Sequence, residues 1–165
     1  MMILEPETSP RRGYGFVDGY AYANDGPNDL CGGMTEAMNQ AMADALVRPR
    51  QVDSISAWGP GHRLIDAAEA RALREVFGPQ LDEISITSIK GAIGNPLGAA
   101  GAIQAVTAAL SSRTGLIPAT VNWQFPDPEC VLNLSAQPRM VSPEITLINA
   151  HGLSGVNASL IFKKC

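Results

Sequence analysis

Aromatic residues alternate with small or polar ones along residues 13–24 (Gly-Tyr-Gly-Phe-Val-Asp-Gly-Tyr-Ala-Tyr-Ala-Asn), the period of a strand bordered by turn residues. Asn24 to Asp29 reads as a loop. From Met34 to Val47 the period changes: Met34, Ala37, Met38, Ala41, Met42, Ala45 and Leu46 recur at helical spacing. That methionine stripe is expected to pack a core, since thioethers fill irregular gaps. Val52 to Trp58 predicts a short strand. A helix follows with Asp66 as N-cap, Glu69 three residues on as an acidic capping-box partner, and Gly78 closing it after Phe77. Ile84 to Ser88 is β-branched and extended, and Leu97 to Ser112 is a small-residue helix expected to be buried on several sides. Pro118 to Asn122 is extended and the segment around Pro126 and Pro128 is irregular. Glu144–Asn149 and Val156–Phe162 predict two closing strands. Helices alternate with strands and two strands come last, which predicts an α/β layered sheet of mixed direction.

Length and composition narrow the class. The 165 residues suffice for one domain, 1–165, with a leading strand and loop over 1–32 and an α/β core over 33–165. Hydrophobic residues make up 45% and charged residues 17%, so the chain should be globular rather than disordered. The net charge of -4 and the lack of a basic stripe argue against nucleic acid as a partner. The longest apolar stretch, Gly98 to Leu110, is too short and interrupted to span a bilayer, and residues 1–7 carry no readable secretory signal. Cys31, Cys130 and Cys165 form neither a CxxC pair nor an even framework and suit a reducing cytoplasm.

The candidate chemistry centres on Ser88-Ile89-Lys90-Gly91-Ala92-Ile93-Gly94-Asn95 followed by Pro96-Leu97-Gly98-Ala99-Ala100-Gly101. This stretch resembles the lysine-and-histidine motif of the β-ketoacyl-acyl-carrier-protein synthases, with Asn95 where the family has a histidine. Further markers occur in the family's order. Arg12-Gly13 precedes the aromatic strand and Asn24-Asp25; Asp66-Ala67-Ala68-Glu69-Ala70 precedes Val76-Phe77-Gly78; Ile117 to Asn122 follows the glycine-rich helix start; and Asn149 through Gly155 to Phe162 comes last. The resemblance covers nearly all of this chain but only about half of a family protein, the C-terminal half. It implies the thiolase-like fold, here one half of a duplicated architecture: a mixed five-stranded sheet covered by helices.

The same resemblance implies a loss of chemistry. Family members pair a cysteine of the N-terminal half with two histidines and a lysine of the C-terminal half. Here Trp58-Gly59-Pro60 stands where a strand-end His-Gly-Thr is expected, and Asn95 replaces the second histidine. An indole donates one hydrogen bond but cannot exchange a proton near neutral pH, and its bulk is expected to fill the space for a thioester. Asn95 could hold a carbonyl but is no acid or base. No catalytic residue is therefore expected at Trp58, Lys90 or Asn95. Lys90 should instead form a structural ion pair with Glu69, whose disruption would cost about 3–5 kcal/mol. The segment His151-Gly152-Leu153-Ser154-Gly155 resembles the family's acyl-pocket gate loop, with Leu153 in place of the gating phenylalanine; read from its residues alone it is a hairpin turn.

A Cys31–histidine pair, or a metal held by His62, His151 and Asp66, lacks any ligand spacing, so neither metal nor cofactor is expected. Three functions stay open: a chain-length-factor-like, non-catalytic subunit; the C-terminal fragment of a split ketosynthase; and a standalone interaction module. The first is favoured. The expected partners are a second copy or a ketosynthase subunit, with acyl carrier protein as a further one, and neither nucleic acid nor membrane.

Overall fold

A computed structural model describes residues 2–9 and 13–165. Its main sheet holds five strands in the order β1-β7-β6-β2-β3, with β1 at Gly15–Asn24, β2 at Ser54–Ser56, β3 at Ser85–Thr87, β6 at Ile145–His151 and β7 at Val156–Lys164. β1, β7 and β6 pair antiparallel, whereas β2 runs parallel to both β6 and β3. The sheet is mixed, as the order of elements predicts. β4 (Leu116–Ile117) and β5 (Arg139–Met140) make a separate two-stranded ribbon.

One row of side chains crosses four strands. Ile86 lies beside Ile55, Ile55 beside Leu147, and Leu147 beside Ile161, all fully buried. Full burial of such a side chain contributes about 1.5–3 kcal/mol. At the end of the row Gly19 faces Ile161 across β1, where a Cβ would sit 2.5 Å from the Ala41 carbonyl oxygen. That missing side chain lets helix α1 (Gly32–Asp44) lie close against the sheet. Met34, Ala37, Met38, Ala41 and Met42 are all buried, so the methionine stripe is core.

Helix α2 (Arg63–Phe77) packs beside α1 on the same face. It begins earlier than predicted, with His62 as N-cap. Asp66 lies in the first turn, where its carboxylate accepts the Gly61 N–H at 3.3 Å. The capping box does not form because the Asp66 N–H already donates to the His62 carbonyl, and Glu69 points into the interior. Gly78 ends the helix as expected. After β3 the chain makes a four-residue helix, α3 (Lys90–Ile93), then a 3-10 turn and α4 (Ala100–Thr114), where one helix from Leu97 was predicted.

α4 covers the other face of the sheet, meeting Ile148, Leu160 and Phe162 through Ala105, Ala108 and Ala109. Its outward side carries Ile103, Val106 and Leu110, with Leu97 just ahead, all exposed. The free edge of β3 is closed by an irregular strap: Ile86 N–H donates to the Asn133 carbonyl, and Arg139 donates to the carbonyls of Ile86 and Asn133. Among the described residues no helix is long and apolar enough to cross a membrane.

Candidate functional site

Three parallel strands end side by side, and their C-terminal ends deliver the candidate residues. β2 runs out into Ala57-Trp58-Gly59, β3 into Ser88-Ile89-Lys90, and β6 ends at His151. Such strand ends are the usual place for chemistry in α/β sheets, because the backbone leaves the ladder there with free polar groups. α2 supplies Glu69 from beneath. Its two carboxylate oxygens accept the N–H groups of Trp58 at 2.9 Å and Gly59 at 2.8 Å. Gly59 has φ +37°, and a Cβ there would lie 2.8 Å from that of Ser88, so the turn has room only for glycine. Ser88 ties the strands together by donating to the Gly59 carbonyl at 2.8 Å.

Glu69 and Lys90 are both buried, but the expected contact between them is replaced by others. Glu69 spends both oxygens on backbone donors. The Lys90 amine donates to Gln104 Oε1 at 3.2 Å and, more weakly, to the Ala57 carbonyl at 3.5 Å. The coupling that remains is through space. Burial pushes the Glu69 carboxyl above its ordinary range, against the pull of the two N–H groups and of Lys90. Burial likewise pulls the Lys90 amine down to about 8, with the charge of Glu69 opposing.

Gln104 is the residue that sequence reasoning missed. It is fully buried on α4, and its Nε2 donates into the carbonyls of Ser56, Ala57 and Asn149 at 3.0–3.1 Å. With the amide nitrogen fixed among acceptors, Oε1 must face Lys90. Its only signal was a lone amide among the small and apolar residues of the helix's first two turns.

Trp58 lies outside the cavity formed within this chain. It is 7% exposed, belongs to the core on the α1/α2 face, and stacks on His151 with ring centroids 4.5 Å apart. His151 in turn meets Asn157 Oδ1 at 2.8 Å. Because Asn157 Nδ2 donates to Asp25, its oxygen is the acceptor and His151 Nδ1 carries the proton. Asn95 stays apart from this group. It is exposed, and its side chain accepts the Leu97 N–H at 3.1 Å rather than turning to the site.

The stretch from Gly152 to Gly155 is the turn of the β6–β7 hairpin, closed by Gly152 N–H to the Val156 carbonyl at 2.7 Å. Gly155 takes the positive φ of +79°, so Ser154 is spared it. Leu153 is 99% exposed and walls nothing within this chain. Cys31 is buried, and burial pushes its thiol up to about 12. His62 is exposed, and no group of three metal-binding side chains is found among the described residues.

A cavity of about 330 Å³ opens beside the strand ends. Lys90, Glu69 and Ser88 line it together with Ala57 and Gly59, and the strap over residues 120–134 roofs it. Trp58, Asn95 and His151 are not among its walls. Burial raises the Asp66 carboxyl, and the Cys130 thiol reaches about 11. The arrangement sets Lys90 among the carboxyl groups of Glu69, Asp66 and Asp127 in a partly open cavity, with no imidazole on its walls.

The fold and this strand-end geometry agree with what the chain matches. The model of the β-ketoacyl synthase C-terminal domain covers residues 12–124. The chain belongs to the β-ketoacyl synthase family. It is 32% identical to the 3-oxoacyl-[acyl-carrier-protein] synthase 2 of Coxiella burnetii over 92% of its length, spanning 37% of that relative. Among solved structures it is similar to a type II PKS acyl-carrier protein in complex with its ketosynthase bound to the hexaketide, with TM-score 0.86, 30% identity, and coverage of 92% of this chain and 39% of that one. It is equally similar in fold to the ishigamide ketosynthase/chain length factor, with TM-score 0.86, 28% identity, and coverage of 92% and 38%. The chain thus has the thiolase-like fold of the synthases' C-terminal domain and spans well under half the length of the relatives it matches.

Proposed function

We propose that this chain is a β-ketoacyl synthase-like subunit that does not condense acyl thioesters itself and acts with a ketosynthase partner in fatty acid or polyketide assembly. The observation that carries this is Trp58. The end of β2, where the family resemblance calls for a proton-handling imidazole, holds a core tryptophan sealed against His151. Decarboxylative condensation needs a thiolate to carry the acyl chain and donors for the charge that develops on oxygen. Trp58 supplies neither acid nor base, and Asn95 faces solvent. Glu69 then serves as scaffold, holding the turn after β2 through the Trp58 and Gly59 N–H groups, and Lys90 braces the same strand end by donating to Gln104 and, more weakly, to the Ala57 carbonyl.

A second reading, the C-terminal piece of a split ketosynthase, is favoured by α4. One of its 15 residues is charged, and its outward side is as apolar as its inward side, the pattern of a helix meant for burial on both faces. A covering half would bury Ile103, Val106 and Leu110.

The test is co-purification with candidate ketosynthase and carrier-protein subunits, followed by malonyl decarboxylation and condensation with and without this chain. The first reading expects a complex and altered product length or rate. A monodisperse monomer without affinity for any synthase subunit would overturn both partner readings and leave a standalone module.

A further inference from the structure

We propose that residues 123–129 form a hinged lid over the strand-end cavity, latched by Arg63, and that the lid admits a small, neutral, mainly apolar molecule to the space behind it. Both ends of the segment are pinned. At one end the Val121 carbonyl lies against Gly91 so closely that a Cβ there has no room, and Asn122 Nδ2 donates to the Gly91 carbonyl at 3.0 Å. Asn122 takes φ +68°, a turn conformation that asparagine tolerates. At the other end Cys130 Sγ donates to the Asp66 carbonyl at 3.6 Å, and Arg74 reaches the Val131 carbonyl at 3.5 Å.

Between the pins Arg63, the first residue of α2, forks onto two acids of the segment. Its Nε lies 3.6 Å from Asp127 Oδ2 and its Nη2 lies 3.7 Å from Glu129 Oε2. Pro126 and Pro128 flank Asp127 and stiffen the middle, so the latched piece moves as one unit. Arg63, Trp123, Phe125 and Asp127 all wall the cavity, so parting the latch opens it. The latch can part easily. The Arg63 side chain is 74% exposed and those of Asp127 and Glu129 are 32% and 59%, so water and salt screen the attraction. Loops held by such contacts commonly gate access to a site.

The space behind the lid sets the ligand class. At about 330 Å³ it is at the small end of ligand pockets, which run from about 300 to 1,000 Å³. Val121, Leu132 and Leu134 give it apolar walls beside the lid's own aromatic rings. The carboxyl groups of Asp66, Glu69 and Asp127 disfavour an anion there. Every wall belongs to this chain, so the gating is independent of any synthase partner.

Cys130 lines the cavity and reports its opening. Cys165 is exposed and Cys31 buried, so one labelling run carries its own references. The full chain is treated with 2,2′-dithiodipyridine, a neutral aromatic disulfide, and the rate at each cysteine is read by peptide mass mapping. Raising NaCl from about 0.05 to 0.5 M should speed Cys130 relative to Cys165 by about threefold, the scale of one exposed ion pair. Arg63→Gln should give the same gain at low salt and abolish the salt dependence. Arg71→Gln, which removes an exposed α2 charge outside the latch, should behave as the parent. Continued protection of Cys31 shows that each variant is folded, and the salt series on the parent stands without them. Dithiobis(nitrobenzoate), a dianion, should label Cys130 at least about tenfold more slowly relative to Cys165 than the neutral reagent does. A Cys130 rate that is flat with salt in the parent, or unchanged by R63Q in a folded protein, overturns the latch. Equal relative rates with the neutral and anionic reagents overturn the ligand class.

Discussion

Replacing Glu69 by alanine probes what holds the turn after β2. Two backbone donors, Trp58 N–H and Gly59 N–H, lose their acceptors, and the first is fully enclosed. An unsatisfied buried donor costs about 1–3 kcal/mol, so the pair amounts to roughly 2–6 kcal/mol. Removing a buried carboxylate that burial already disfavours returns part of this. The expected net loss is about 3 kcal/mol. Glu69→Gln separates hydrogen bonding from charge, because the amide keeps one acceptor and turns an N–H toward the other donor. It should cost about half as much. Urea unfolding followed by tryptophan fluorescence measures both, with buried Trp58 as a local reporter. The reasoning is refuted if E69A lies within about 0.5 kcal/mol of the parent, or if E69Q costs as much as E69A, which would make the charge rather than the two bonds decisive.

Other outcomes follow from the same geometry. Lys90 binds its proton less tightly when folded, about 8 against the ordinary 10.5, so between these values the unfolded chain holds more protons and stability rises with pH, by about 3 kcal/mol across the window. The buried thiols of Cys31 and Cys130 shift the opposite way, so the test is the difference between parent and Lys90→Met; a difference that stays flat from pH 8 to 10.5 contradicts the account. Trp58→Ala should lose about 3–5 kcal/mol in urea unfolding, since a core ring and its stack on His151 vanish together; a loss under about 1 kcal/mol would show that the indole is not packed as described. Val106→Glu, on the outward side of α4, should leave unfolding within about 0.5 kcal/mol yet abolish co-purification with a synthase partner; unchanged association would place the interface elsewhere.

Much of the fold was legible because its signals are local. The spacing of Met34, Met38 and Met42 names α1, and the alternating residues of β7 name the strand that pairs on both sides. Where the expectation slipped, a long-range contact had outweighed a local one. Asp66 and Glu69 have capping-box spacing, yet Glu69 finds two better donors at the end of β2 and leaves the helix start to His62. The two-residue strands β4 and β5 are too short to show a period at all. The site was half visible. Lys90 and Glu69 stood out by motif, but the ion pair foreseen between them is divided among Gln104, Ala57 and the turn N–H groups. Gln104 acquires its meaning only when α4 crosses the ends of β2 and β6. The contact between Trp58 and His151, 93 positions apart, likewise exists only in the assembled sheet.

The central claim, a synthase fold without its own condensation, is tested most directly by a condensation assay on the purified chain with acyl and malonyl thioesters of acyl carrier protein, run alone and with a ketosynthase subunit. The account predicts no β-ketoacyl product from the chain alone, and a change in product length or rate when it is added to the ketosynthase. Turnover by the lone chain at a rate comparable to the ketosynthase would contradict it.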